Sequence, residues 1–336
     1  GLDRPPQQRL GTIAQMVSWE IDLFGRVGTA SAVAQRQADA ALEGQTGALV
    51  LVNAGTGEIL ALATTPTFDA NRLDELEQTW SEDGRAPLVN RATQGLYPPG
   101  AALGPFFLAE RLGQSILLDQ APPTDYYTNG RRLACARLPG LSPDWGEAVG
   151  SGCPGAAIAL MNGVDVAAVQ SLYARLGLLA APDFDLVMAG PQLPASEATA
   201  AAVITAQDGM KVTPLQLAMA AAALTHQGQR PAPRLAMSVL TAQQGWVALP
   251  VNAAAAALSP AGAAAAVSRL ENTQLPVWET VAVVRGTSQE VTWYLGGTTP
   301  VWQGVPLSIV VLLEDNNPGL AAGIGQQLLQ HVMTGQ

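Results

Sequence analysis

Lysine is almost missing from this chain. Of 17 basic residues in 336, Lys211 is the only lysine, so any mechanism that needs two lysines is excluded by counting. Histidine and cysteine are as scarce, with His226, His331, Cys135 and Cys153 the full set. None of these stands at metal-ligand spacing, so neither a zinc site nor any other metal or cofactor is expected. No apolar run reaches the 18 or so residues of a spanning helix, and no basic and apolar leader opens the chain. Positive charge is short overall. A net charge of −10 excludes the basic surface that nucleic acid requires. The chain starts at Gly1, which reads as a trimmed product.

What is present is apolar. At 48% hydrophobic and 13% charged residues, the chain has ample material for a large core and is far from disordered composition. Residues 1–30 are polar and read as a linker or anchor-proximal segment. Helical spacing of Val33, Gln37 and Ala41 follows, stopped at Gly44. The period then changes. "GALVLVNAGTGEILALATT" has two apolar runs around Asn53–Gly57, which predicts a hairpin covered on both faces. From about 85 to 230 helices broken by Gly and Pro dominate. "VTPLQLAMAAAALTHQG" is the clearest, with Thr213 as N-cap, Pro214 in the first turn, Gln216 completing a capping box and Gly228 as the stop. Ser259 and Pro260 open a second such helix. Three strand-like runs, "TVAVVRGTS", "VTWYLGGT" and "VPLSIVVLLED", and a terminal helix complete the chain. Residues 31–336 are therefore expected to form one α+β domain in three layers (α/β/α). Its antiparallel sheet of about five strands is built from both ends of the domain and flanked by helices, with a large all-helical insertion between.

Taken in order, "GALVLVNAGTGEILALATTPTFDANRL", "PLVNRATQGLYPPGAALGPF", "VTPLQLAMAAAAL" and "VAVVRGTSQEVTWYLGGTTP" resemble the transpeptidase domain of penicillin-binding proteins, over about residues 30–335. The resemblance implies a β-lactamase-like fold. It also implies serine acyl-transfer chemistry carried by three motifs: Ser-x-x-Lys at a helix start, Ser-x-Asn, and Lys-Thr-Gly on a strand. The serine attacks, the lysine one turn later takes its proton, and the third motif holds the substrate carboxylate.

This chain departs from all three. Tyr97-Pro98-Pro99-Gly100 and Pro105-Phe106 fix the register of the first motif, leaving Ala101 for the nucleophile and Gly104 for the base. In the third motif Val284 replaces the lysine and Arg285 the threonine, while Gly286 and Thr287 remain. Val284 and Arg285 point to opposite faces of a strand, so Arg285 need not restore the lost cation. The second motif falls at Ser151-Gly152-Cys153 or at Gly152-Cys153-Pro154, and either register lacks the asparagine. No residue is expected to be catalytic.

The resemblance further implies a location outside the cytoplasm, at the outer face of the membrane, with an anchor removed from this chain. It makes a disulfide between Cys135 and Cys153 the favoured reading over two buried thiols. Three functions follow. The leading one is a transpeptidase scaffold without acyl transfer, with a structural or regulatory role among cell-wall synthesis or division proteins. The second is a binding module for peptidoglycan stem peptides, using Ser151, Thr287 and Ser288. The third is an active transpeptidase or penicillin-binding enzyme relying on non-standard residues. Other polar residues have ordinary readings: His226 at a helix end, His331 solvated, Glu314 and Asp315 solvated after a strand, Trp293 and Tyr294 packed, Thr93 and Ser115 without a base.

Overall fold

The computed structural model describes residues 29–335, except 185, 197, 208, 242, 244 and 286–289. Its centre is a five-stranded antiparallel sheet. Strands β1 (Gly47–Asn53) and β2 (Ile59–Thr65) form the predicted hairpin. Near the other end of the chain come β3 (Val277–Arg285), β4 (Glu290–Thr298) and β5 (Leu307–Leu313). The spatial order is β2-β1-β5-β4-β3, so the two ends of the domain meet where β1 pairs with β5.

The period of two decides the layering. On β1, Ala48, Val50 and Val52 face one buried cluster, and Leu49 and Leu51 face another. Helices α1 (Thr29–Ala41) and α5 (Pro318–Thr334) cover the second cluster. The first is covered by α2 (Gly104–Gly113), α3 (Pro214–Thr225) and α4 (Pro260–Arg269). Both faces being covered explains why strands with no polar alternation are stable here. Gly325 in α5 is required by packing: a Cβ there would stand 2.1 Å from the Tyr294 ring. The Thr213–Gln216 capping box and the Ser259 cap form as their sequences predict.

The insertion between β2 and β3 contains most of the helices, and it is not purely helical. A small ladder pairs Tyr126–Thr128 with Arg131–Leu133 around the Asn129-Gly130 tip. An Asn-Gly pair is a hairpin signal, passed over because its three-residue arms are too short for a visible alternation. Another short ladder pairs Ser238–Thr241 with Gly245–Ala248. Among the described residues no helix is long and apolar enough to cross a membrane. The segment assigned to 1–30 falls almost wholly outside the described residues.

Candidate functional site

The Tyr97–Gly100 turn is held by its tyrosine. The Tyr97 backbone exchanges hydrogen bonds with Val212 at 3.0 and 2.9 Å, just before the Thr213 cap of α3. Its hydroxyl donates to Glu314 Oε1 at 2.6 Å, and Arg91 Nε donates to the same oxygen at 2.8 Å. Arg91 also donates to the carbonyls of Arg85 and Ala86. Burial, then the Glu314 carboxylate, push the Tyr97 hydroxyl well above its ordinary pKa, so it stays a donor. Trp293 Nε1 donates to the Pro98 carbonyl at 2.9 Å, and its ring meets Tyr97 edge-on with centroids 6.1 Å apart.

Glu314 is therefore not the solvated acid expected from its place after a strand. Its side chain is only 17% exposed, and it ties the end of β5 to the turn. Asp315 is exposed as expected. A carboxylate directly after an almost wholly apolar strand was the available signal. Linear sequence does not reveal that two residues so far apart meet.

From the turn the chain enters a short 3-10 helix, Gly100–Leu103, and then α2. Gly100 has φ +51°, and a Cβ there would lie 2.4 Å from Val284 Cγ2. Val284 thus rests directly on the residue before Ala101. Ala101 is 2% exposed and Val284 3%. At Gly104 a Cβ would stand 3.1 Å from Val149 Cγ1 and 3.7 Å from the Ala157 methyl. The cluster around the start of α2 is closed and apolar.

The structure brings the three motif positions together. The 3-10 helix packs against β3 and against the helix Pro154–Leu160. Ser151 is the C-cap of the helix Trp145–Gly150; its carbonyl accepts from the Arg137 N–H at 3.1 Å. Gly152 has φ +64°, and a Cβ would come within 1.9 Å of the Val281 carbonyl oxygen. Only glycine fits this approach to β3. Cys153 is joined to Cys135 in a disulfide with an S–S distance of 2.01 Å. Arg285 turns away from Val284, and its Nε meets Glu290 Oε1 at 2.8 Å across the β3–β4 ladder. Gly286, Thr287 and Ser288 lie outside the described residues. Beside Val284 lies a space of about 220 Å3, bordered by Ala134, Cys135, Ile204, Thr205 and Asn316.

A second polar node stands behind this region. Glu279 on β3 accepts from Tyr294 at 3.0 Å, Gln326 at 2.7 Å and Arg137 at 3.2 Å. It links the insertion, the sheet and α5. His226 caps the end of α3, and His331 is exposed on α5. Thr93 is buried, and Ser115 follows α2 in a left-handed conformation. Among the described residues no group of His, Cys, Asp and Glu could hold a metal ion.

Residues 47–110 match the model of the penicillin-binding protein transpeptidase domain family. The chain is 34% identical over 88 residues to the peptidoglycan D,D-transpeptidase MrdA of Escherichia coli K12. It is 41% identical over 70 residues to the probable peptidoglycan D,D-transpeptidase PenA of Neisseria gonorrhoeae. These matches take in 25% and 21% of this chain, and only 14% and 11% of the relatives' length. In structure it resembles PBPA from Mycobacterium tuberculosis, with a TM-score of 0.76 and 22% identity, over 92% of this chain and 80% of the other. It also resembles the D,D-transpeptidase domain of a peptidoglycan glycosyltransferase from Eggerthella lenta, with a TM-score of 0.73 and 18% identity, over 90% and 81%.

Proposed function

We propose that this chain, a penicillin-binding-protein transpeptidase domain by family and fold, carries out no acyl transfer and acts as a structural or regulatory partner in peptidoglycan synthesis. The observation that carries this reading is the closed apolar packing at Ala101. A methyl stands where the resemblance puts a nucleophile, 2% exposed, beside a valine that rests on Gly100. No arrangement of neighbours makes an alanine methyl nucleophilic. Gly104 supplies no base, and a lysine built there would start against Val149 and Ala157.

The turn, by contrast, is firmly braced by Tyr97, Arg91, Glu314 and Trp293. A turn held this well fits a role in holding other proteins. Another chain with a similar fold belongs to a structure described as a peptidoglycan synthase complex, with a TM-score of 0.69 and 19% identity. The Cys135–Cys153 disulfide supports a location outside the cytoplasm. Ser151 offers little to a stem peptide, because it is only 9% exposed.

The test is photocrosslinking in the native cell, with the crosslinker on the exposed surface. Recovery of a cell-wall synthesis or division protein is expected. No envelope partner, together with normal envelope growth after deletion, would count decisively against this role.

A further inference from the structure

Strand β2 is the other edge of the sheet, and its edge is only partly closed. The register sets Leu62 opposite Val50 and Thr64 opposite Ala48. From α1, the Gln35 side chain takes both main-chain groups of Leu62. Its Oε1 accepts from the Leu62 N–H at 2.8 Å, and its Nε2 donates to the Leu62 carbonyl at 3.1 Å. Leu62 therefore turns its hydrogen-bonding groups away from β1, and two residues on, Thr64 does the same. Gln35 takes the place of a single residue of a sixth strand. Beyond it, Thr64 borders a cleft of about 950 Å3 between the end of α1 and the segment following β2.

This cleft is built to attract positive charge. Asp39 and Glu43 line it at the C-terminal end of α1, where the last carbonyls already carry partial negative charge, and no basic residue stands in the last turn. Among the described residues Asp39 is bonded to the Gln35 amide at 3.0 Å, and neither acid has an arginine partner. Arg85 also lines the cleft, but its guanidinium pairs with Asp83 at 2.8 Å. A strand edge open at Thr64, beside carboxylates that no described arginine or lysine compensates, calls for an extended backbone carrying cations.

We propose that this cleft receives an extended, arginine- or lysine-bearing segment of a partner protein, which pairs its main chain with Thr64 and sets a cation against Asp39 and Glu43. The site lies four strand spacings from Val284, about 19 Å across the sheet, and does not depend on the state of the Ala101 turn. A second copy of this chain is a poor occupant, because its net charge is −10.

The test is fluorescence anisotropy on the full chain with three labelled hexapeptides: Arg-Val-Arg-Val-Arg-Val, its Glu-Val counterpart, and the Arg-Val peptide N-methylated at alternate peptide nitrogens. Saturable binding is expected for the first, with affinity at least about tenfold lower for the other two. The Asp39→Asn/Glu43→Gln variant should bind the first peptide at least about tenfold more weakly. Absence of saturable binding, equal binding of the N-methylated peptide, or undiminished affinity of the variant would each overturn the proposal. The N-methylated probe needs no change to the protein, so its outcome does not depend on how the variant folds.

Discussion

Replacing Glu314 with alanine isolates what braces the Tyr-Pro-Pro-Gly turn. The side chain of Arg91 is 5% exposed and that of Glu314 is 17% exposed, with 2.8 Å between charged atoms. Removing one member of so buried a pair leaves a charge without compensation, which costs about 3–5 kcal/mol. The Tyr97 hydroxyl loses its acceptor as well, worth roughly 1 kcal/mol more. For about 300 residues the unfolding entropy is near 0.6 kcal/mol/K, so a loss of about 4–6 kcal/mol lowers Tm by about 6–10 °C. Urea unfolding and calorimetry measure this directly. Glu314→Gln keeps an acceptor and loses the charge, so it should fall between wild type and Glu314→Ala. Tyr97→Phe should cost only about 1–2 kcal/mol, because it spares the ion pair. If Glu314→Ala lies within about 1 kcal/mol of wild type, or if Tyr97→Phe is equally damaging, the ion pair is not what holds the turn.

Three further outcomes follow from single contacts. Gly152→Ala should destabilise by at least about 2 kcal/mol in urea melts, since it adds a Cβ 1.9 Å from the Val281 carbonyl at a φ of +64°; a neutral result would mean β3 can retreat freely. Replacing Cys135 and Cys153 together with alanine should cost about 3 kcal/mol for a cross-link across 18 residues, and thiol reductant should destabilise the wild type while leaving the variant unchanged, removing most of that difference. Ala101→Ser with Gly104→Lys should still fail to acylate with penicillin, because Val284 continues to roof the site; measurable acylation by that variant would show the groove is more open than described.

The architecture was legible in the sequence because it rests on local signals. The hairpin around Asn53–Gly57 and the Thr213 capping box both come from residues close in sequence. That Ala101, Gly104 and Val284 depart from the pattern of the resembled family is likewise read from the sequence alone. What sequence did not show was consequence in space. That Val284 lies on Gly100, and that Gly104 packs on Val149, requires the sheet and the insertion to be assembled first. Glu314 was misread for the same reason, its partners Arg91 and Tyr97 being more than two hundred residues away. The small ladder at Tyr126–Leu133 escaped because short arms leave too little alternation to see.

The central claim is that no residue of this chain forms an acyl-enzyme. The direct measurement is incubation of the native protein with a fluorescent penicillin, followed by denaturing electrophoresis and peptide mass mapping. No fluorescent band and no mass shift are expected, even at millimolar reagent and long exposure. A denaturation-resistant adduct mapped to any serine, threonine or cysteine would contradict the account.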